Sequence, residues 1–190
     1  MSELRHSPGS PKNDGTPSGG QAQPGVGAKI VSWQGPVDHA WVDYNGHLND
    51  AYYMVIFSYA TDGLMAAIGL DAAGRKATGH TMYTLEIHLN YVQEVHEGVA
   101  VEVRTQILGV DAKRVHVFHT LHRQDDGTLL ATNEQMLANI DASNAETGPK
   151  TAPFVPSVAA LLQPLALGHA ALPRPANAGR SIALPLPRSS

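Results

Sequence analysis

Between Tyr83 and Tyr91 the chain alternates: Tyr83, Leu85, Ile87, Leu89 and Tyr91 are apolar or aromatic, and Thr84, Glu86, His88 and Asn90 between them are polar. Successive side chains of a strand point to opposite faces, so this period of two predicts a strand with one apolar face. Val99, Val101, Val103, Thr105 and Ile107 repeat the alternation, residues 114–123 (RVHVFHTLHR) continue it, and residues 129–141 supply a last strand. Turns are expected at residues 109–113 and 124–127. Residues 29–37 (KIVSWQGPV) are also strand-like.

Residues 50–68 (DAYYMVIFSYATDGLMAAI) read differently. They contain no Pro, Lys or Arg, and apolar residues fall on every side of a helical wheel. A helix that is apolar all round is expected to be buried. Asn49 or Asp50 can cap its start, and Gly69 stands where a helix end favours a left-handed residue. Gly63 inside it costs about 1 kcal/mol relative to Ala, which predicts a close neighbour, most naturally a sheet. Residues 71–79 read as a polar connection. The predicted order is strand, long buried helix, then about four antiparallel strands, an α+β arrangement.

Both ends differ from this middle. Residues 1–28 are rich in Gly, Pro, Ser and Asn and cannot bury enough apolar surface to offset their ordering entropy, so a disordered head is expected. Residues 142–190 form a Pro/Ala-rich tail in which the apolar stretch 155–167 can make a short helix lying on the sheet, followed by a flexible end. One domain over residues 29–141 suits a chain of 190 residues.

Composition narrows the function. The hydrophobic fraction is 43% and no apolar run approaches the roughly 20 residues that span a bilayer, so no membrane partner is expected. The head lacks the apolar centre of a secretory signal, and a cytoplasmic location fits. Cysteine is absent, which excludes disulfides, thiolate metal sites and cysteine nucleophiles. A net charge of -4 without a basic stripe argues against nucleic acid.

The loop before the helix carries the motif Asp43-Tyr44-Asn45-Gly46-His47-Leu48-Asn49-Asp50. It is similar to the D-x-x-G-H-x-N-N loop of the 4-hydroxybenzoyl-CoA thioesterase group of the hotdog family, with Asp50 in place of the second Asn. The resemblance covers residues 29–141. More narrowly, YNGHLNDAYYMVIFSYATDGLMAAIGL with YTLEIHLNYVQEV and LATNEQMLANID resembles the betainyl-CoA thioesterases of carnitine breakdown, including those fused to carnitine dehydrogenases. The resemblance implies a hotdog fold, an antiparallel sheet of about five strands wrapped around a long central helix. It implies an acyl-CoA thioesterase that acts on a short acyl-CoA, betainyl-CoA above all, with Asp43 as catalytic carboxylate and Gly46, His47 and Asn49 shaping its loop. A homodimer or homotetramer with the site between subunits is implied too. No cofactor is expected, coenzyme A being part of the substrate.

The residue types suit that chemistry. A thioester carbonyl needs a nucleophile or an activated water, and donors aimed at the developing oxyanion. The helix start at Asn49 and Asp50 offers backbone N–H groups and a partial positive charge, with Asp43 just upstream. Gly46 lets the chain turn and leaves room for the acyl group. The plainer reading, that Asp43 and Asn49 only cap a strand-to-helix turn, stands beside it. Direct attack by Asp43 and deprotonation of water both remain open. His47 can orient the substrate or the loop. A betainyl group carries a quaternary ammonium without a donor, so aromatic faces are its natural contacts, with Trp41 and Tyr44 foremost and Tyr52, Tyr53, Tyr83 and Tyr91 nearby.

Other polar residues are weaker candidates. Asp62 is an acid in an apolar helix, and phenylacetate-pathway thioesterases carry theirs well along this helix; a partnered or interface carboxylate is the alternative. Glu86, His88 and Asn90 share one strand face that is solvent-exposed or an interface. His116, His119 and His122 cannot share a metal from one strand, because period two turns His119 away from the other two. Lys113 and Arg114 are candidates for the coenzyme A phosphates. An enoyl-CoA hydratase of the same fold would carry a Y-R-x-x-x-G-D-x-N-P-x-H signature, absent here, and a non-catalytic acyl-CoA-binding module is the remaining alternative.

Overall fold

Asn49 starts the central helix: its side-chain oxygen accepts the amide of Ala51, and α1 runs over Asp50–Ala67. Gly69, at φ 78°, takes the left-handed turn that ends it. The computed structural model describes residues 27–184. The head expected to be disordered lies, but for its last two residues, outside the described residues.

Strand β1 (Ile30–Pro36) precedes α1; β2 (His80–Tyr91), β3 (Ala100–Val110), β4 (Arg114–Arg123) and β5 (Leu129–Asp141) follow it. They form an antiparallel sheet in the order β1-β3-β4-β5-β2, with the two-residue β6 (Lys150–Thr151) added beside β5. Register shifts between Val31 and Trp33, Thr84 and Glu86, and Ile107 and Gly109 are bulges, which increase strand twist and bend.

Helix α1 lies in the hollow of this sheet. Its N-terminal half buries Tyr53, Ile56, Phe57 and Ala60 against Val101, Val103, Leu121 and Ala131. The C-terminal half buries Leu64, Met65 and Ile68 against Val115, Val117 and Leu137, together with Leu162 of α3 (Pro156–Ala170). Between the two apolar clusters runs a polar layer. Ser32 Oγ meets Thr105 Oγ1 at 2.6 Å, and Thr105 Oγ1 meets His119 Nδ1 at 2.7 Å. Thr61 donates to Gln135 Oε1 at 3.2 Å. His119 is fully buried, and loss of solvation pushes its pKa down to about 3, so it is neutral.

Three expectations need correction. The central helix is not buried all round: Ala51, Ser58, Asp62 and Ala66 are exposed along one side of α1. Its hydrophobic composition reports the sheet on one side, while the other side is uncovered among the described residues. The connection over residues 71–79 contains a helix, α2 (Ala72–Thr78). Asp71 caps it through the amide of Gly74, and Gly79 closes it at φ 71°. Finally, Tyr83, Leu85 and Ile87 do not face a core. They are 48%, 59% and 42% exposed: the register shift between Thr84 and Glu86 breaks the alternation at Leu85, and nothing among the described residues covers this part of the strand.

After α3 the chain continues across the sheet. His169 Nδ1 accepts the amide of Ile107 while its Nε2 donates to Ala28 O, joining β3 to the segment before β1. Gln106 then donates to Pro173 O, Asn177 to Thr132 Oγ1, and the Gly179 amide to Glu134.

Candidate active site

The loop between β1 and α1 is a small hairpin closed by backbone bonds. Asp38 caps a 3-10 turn over His39–Trp41 by accepting the Ala40 amide. The chain then extends through Val42, turns at residues 43–47 and returns. Asn49 N donates to Trp41 O, Val42 and Leu48 form a bridge, and Asp43 N donates to His47 O at 2.9 Å. Gly46, at φ 77°, makes the return, a conformation that a side chain would strain. Asp43 therefore stands two residues along a ladder from the N-cap pair, about 7 Å from it at strand spacing.

The Asp43 carboxylate faces its own turn with one oxygen. Oδ1 accepts the amides of Asn45 at 2.8 Å and His47 at 3.1 Å, and among the described residues Oδ2 accepts no hydrogen bond. Desolvation pushes its pKa up, but the two amides, the charge of His47 and the Asn45 side chain outweigh this and hold the carboxyl below its ordinary range. Asp43 is ionised at neutral pH and is a weak base.

A second segment holds the loop from outside. Leu48 N donates to Val95 O, Glu97 N to Gly46 O, and His96 Nδ1 donates to Gly46 O at 3.2 Å. The rings of His47 and His96 are 4.4 Å apart, and His47 Nε2 lies 3.5 Å from Glu94. His96 and Glu94 carried no signal in the sequence, because pairing between residues 46–48 and 95–97 is a product of the fold.

At the helix start the amides are mostly taken. Asn49 N serves Trp41 O, Ala51 N is shared by the side chains of Asn49 and Asp50, and Tyr52 N serves Asn49 O. The amide of Asp50 has no acceptor among the described residues and is the free donor there. Asp50 O accepts the hydroxyl of Tyr91 at 3.1 Å, tying the helix to the edge strand.

Trp41 joins an aromatic cluster. Its ring stacks on Tyr52 at 6.1 Å and meets Trp33 and Tyr59 at 6.3 Å, and Trp33 stacks on Tyr59 at 6.2 Å. Tyr44 is not part of it: at 97% exposure it projects from the hairpin tip. Trp33 and Tyr59 were missed, since one lies in a strand and the other two turns along the helix.

The remaining candidates lie apart. Asp62 is exposed on α1 and forms no ion pair among the described residues. His119 points into the core, whereas His116 meets Glu134 at 2.6 Å and His122 meets Gly127 O on the other face of the sheet. Arg114 is paired with Asp111 in its own turn. His88 stands opposite Glu134 across the β2–β5 pair, beside exposed Glu86.

Comparison with known proteins bears on this arrangement. Residues 37–162 match the family described as the thioesterase-like superfamily. The chain is 51% identical over 156 residues to a betainyl-CoA thioesterase of Pseudomonas aeruginosa, covering 82% of this chain and 96% of that one. It is 40% identical to an L-carnitine dehydrogenase/betainyl-CoA thioesterase of Rhizobium meliloti, over 77% of this chain but 28% of that longer protein. A solved structure from Staphylococcus aureus in complex with CoA superposes with a TM-score of 0.74 at 30% identity, covering 83% of this chain and 98% of that one. Another, from Pseudomonas putida KT2440, gives 0.69 at 43% identity with the same coverage.

Proposed function

Because the chain belongs to the thioesterase-like superfamily, an acyl-CoA thioester-hydrolysing family with the hotdog fold, we propose that it hydrolyses betainyl-CoA to betaine and CoA with Asp43 as the reacting carboxylate. The observation that carries this reading is the posture of Asp43: one oxygen accepts two amides and, among the described residues, no hydrogen bond holds the other, at the hairpin leading into α1. The likeness to the Pseudomonas aeruginosa enzyme supports the choice of acyl group.

The lowered pKa keeps Asp43 ionised at neutral pH, the form that either attacks the carbonyl or activates water, and the route proposed is direct attack. In this reading Asp43 Oδ2 adds to the thioester carbonyl carbon, and the Asp50 amide at the positive end of α1 stabilises the oxyanion. Collapse breaks the C–S bond, and the CoA thiolate leaves and takes a proton from solvent. Water then hydrolyses the acyl-aspartyl anhydride, releasing the acid and restoring the carboxylate. His47 and Asn49 hold the hairpin and the helix start in register, and Gly46 gives the turn its shape.

The reading includes a second copy of the chain. The unpaired edge of β2, with Tyr83, Leu85 and Ile87 exposed, is suited to antiparallel pairing with the same edge of another copy, and the open side of α1 to burial beside it. Measured thiol release from betainyl-, acetyl-, butyryl- and benzoyl-CoA tests the substrate. Betainyl-CoA is expected to have the highest kcat/KM, and faster turnover of the neutral thioesters would remove the substrate assignment while leaving the reaction class.

A further inference from the structure

Four half-buried rings from three separate segments meet around Trp41, two residues before the candidate nucleophile. Trp33 comes from β1, Trp41 from the 3-10 turn, and Tyr52 and Tyr59 from one side of α1 about two turns apart, with neighbouring centroids 6.1 to 6.3 Å apart. Tyr53 and Tyr91, by contrast, have hydroxyls anchored to backbone carbonyls at Gln93 and Asp50. No such anchor holds the indole N–H or phenol groups of the four among the described residues. They form a partly open aromatic surface and not a sealed core.

The surroundings of this surface are acidic. Asp38 and Asp43 flank Trp41 in the chain, and Asp62 follows Tyr59 by three residues, hence on the same side of α1. Among the described residues none of the three is paired with Lys or Arg. Ring faces attract a cation that has no hydrogen to donate, and unpaired carboxylates add a long-range field of the same sign. Aliphatic acyl groups would need neither.

Position agrees with chemistry. In a betainyl thioester the nitrogen is two bonds from the carbonyl carbon, so its site must adjoin the nucleophile. Val42 is extended, at φ −96° and ψ 151°, which sends the side chains of Trp41 and Asp43 to the same side of the chain.

We propose that Trp33, Trp41, Tyr52 and Tyr59 form the surface that receives the quaternary ammonium of the acyl group and so determine specificity. This rests on the betainyl-CoA reading above. Trp33 and Tyr59 are specificity residues remote in sequence from the catalytic loop.

The test compares betainyl-CoA with tert-butylacetyl-CoA, in which a carbon replaces the nitrogen and only the charge is lost. The ratio of the two kcat/KM values is measured in wild type, Trp33→Leu, Tyr59→Leu and the milder Trp33→Phe. Because the ratio is taken within one protein, partial loss of folded enzyme cancels. Wild type is expected to favour the cation, and each Leu variant to lower the ratio by about three- to tenfold, the size of one cation–π contact, with Trp33→Phe between. A wild type indifferent to the charge overturns the substrate reading and the ammonium site with it. A wild type that prefers the cation, with Leu variants that keep the full ratio, overturns the aromatic site alone.

Discussion

A Cβ added to Gly63 would lie 1.8 Å from the carbonyl oxygen of Ser32. The central helix and β1 therefore touch backbone to backbone, and the same residue, Ser32, begins the polar layer that reaches His119 through Thr105. Gly63→Ala gains about 1 kcal/mol of helix propensity but must push the helix off the strand. A net loss of about 1–2 kcal/mol is expected, read as a lower urea midpoint with an unchanged slope.

Asp43→Asn should abolish thiol release while sparing the fold. The Asn Oδ1 can still accept the amides of Asn45 and His47, so the melting temperature should barely move. A fall in kcat of roughly three orders of magnitude is expected. Near wild-type turnover would end the assignment of Asp43. Comparison with Asp62→Asn separates it from the exposed acid on α1.

The wild-type pH profile provides a further check on Asp43. Its pKa is held below the ordinary carboxylate value of about 3.9. Ionised, reactive Asp43 should therefore persist as pH falls to that value, and an acid limb of kcat/KM centred near 6 or above would contradict it.

Stability should fall on acidification well before the carboxylates titrate. His119 has a pKa pushed down to about 3 in the folded protein, against about 6.5 when unfolded. Between those values the unfolded chain binds the proton and the native state does not, so stability is lost as pH falls through the unfolded pKa, by at most about 1.4 kcal/mol per pH unit. Burial lowers His122 and His169 in the same direction. Melting temperatures between pH 7 and about 4.5, a window above ordinary carboxylate titration, should decline in wild type and less steeply in His119→Asn. Parallel curves would contradict a neutral, buried His119.

Leu85→Lys tests the proposed pairing of β2 edges between two copies. Placing an ammonium at the centre of the β2 edge should raise the dimer dissociation constant on the order of 100-fold, since a charge buried without a partner costs several kcal/mol. Light scattering should show the dimer dissociating, with turnover falling alongside it. A fully dimeric, fully active variant would place the interface elsewhere.

Much of the fold was legible because its signals are local. Alternation from residue 99 to 141 marked three strands, and Asn49 and Gly69 marked the helix ends through capping chemistry that neighbouring residues complete by themselves. Even the glycine at 63 announced a close approach, though not that Ser32 was the neighbour. Asp43 was singled out by the resemblance of its loop to a known motif, and the turn it closes is local too, its partners lying no more than four residues away.

What the sequence could not state depends on separations of tens of residues. The apolar alternation of β2 is indistinguishable from that of a core strand, and only the folded sheet shows Tyr83, Leu85 and Ile87 uncovered among the described residues. The clamp of His96 on Gly46, the burial of His119 and the meeting of Trp33 with Tyr59 arise from chain segments that folding brings together. Sequence by itself determined which stretches are the main strands and the central helix, because those follow from side-chain period and short-range hydrogen bonds, while the role proposed for the loop came from its resemblance to a thioesterase motif. Tertiary structure decided which faces are buried and which rings share a surface, because burial depends on what packs against a residue and not on the residue itself.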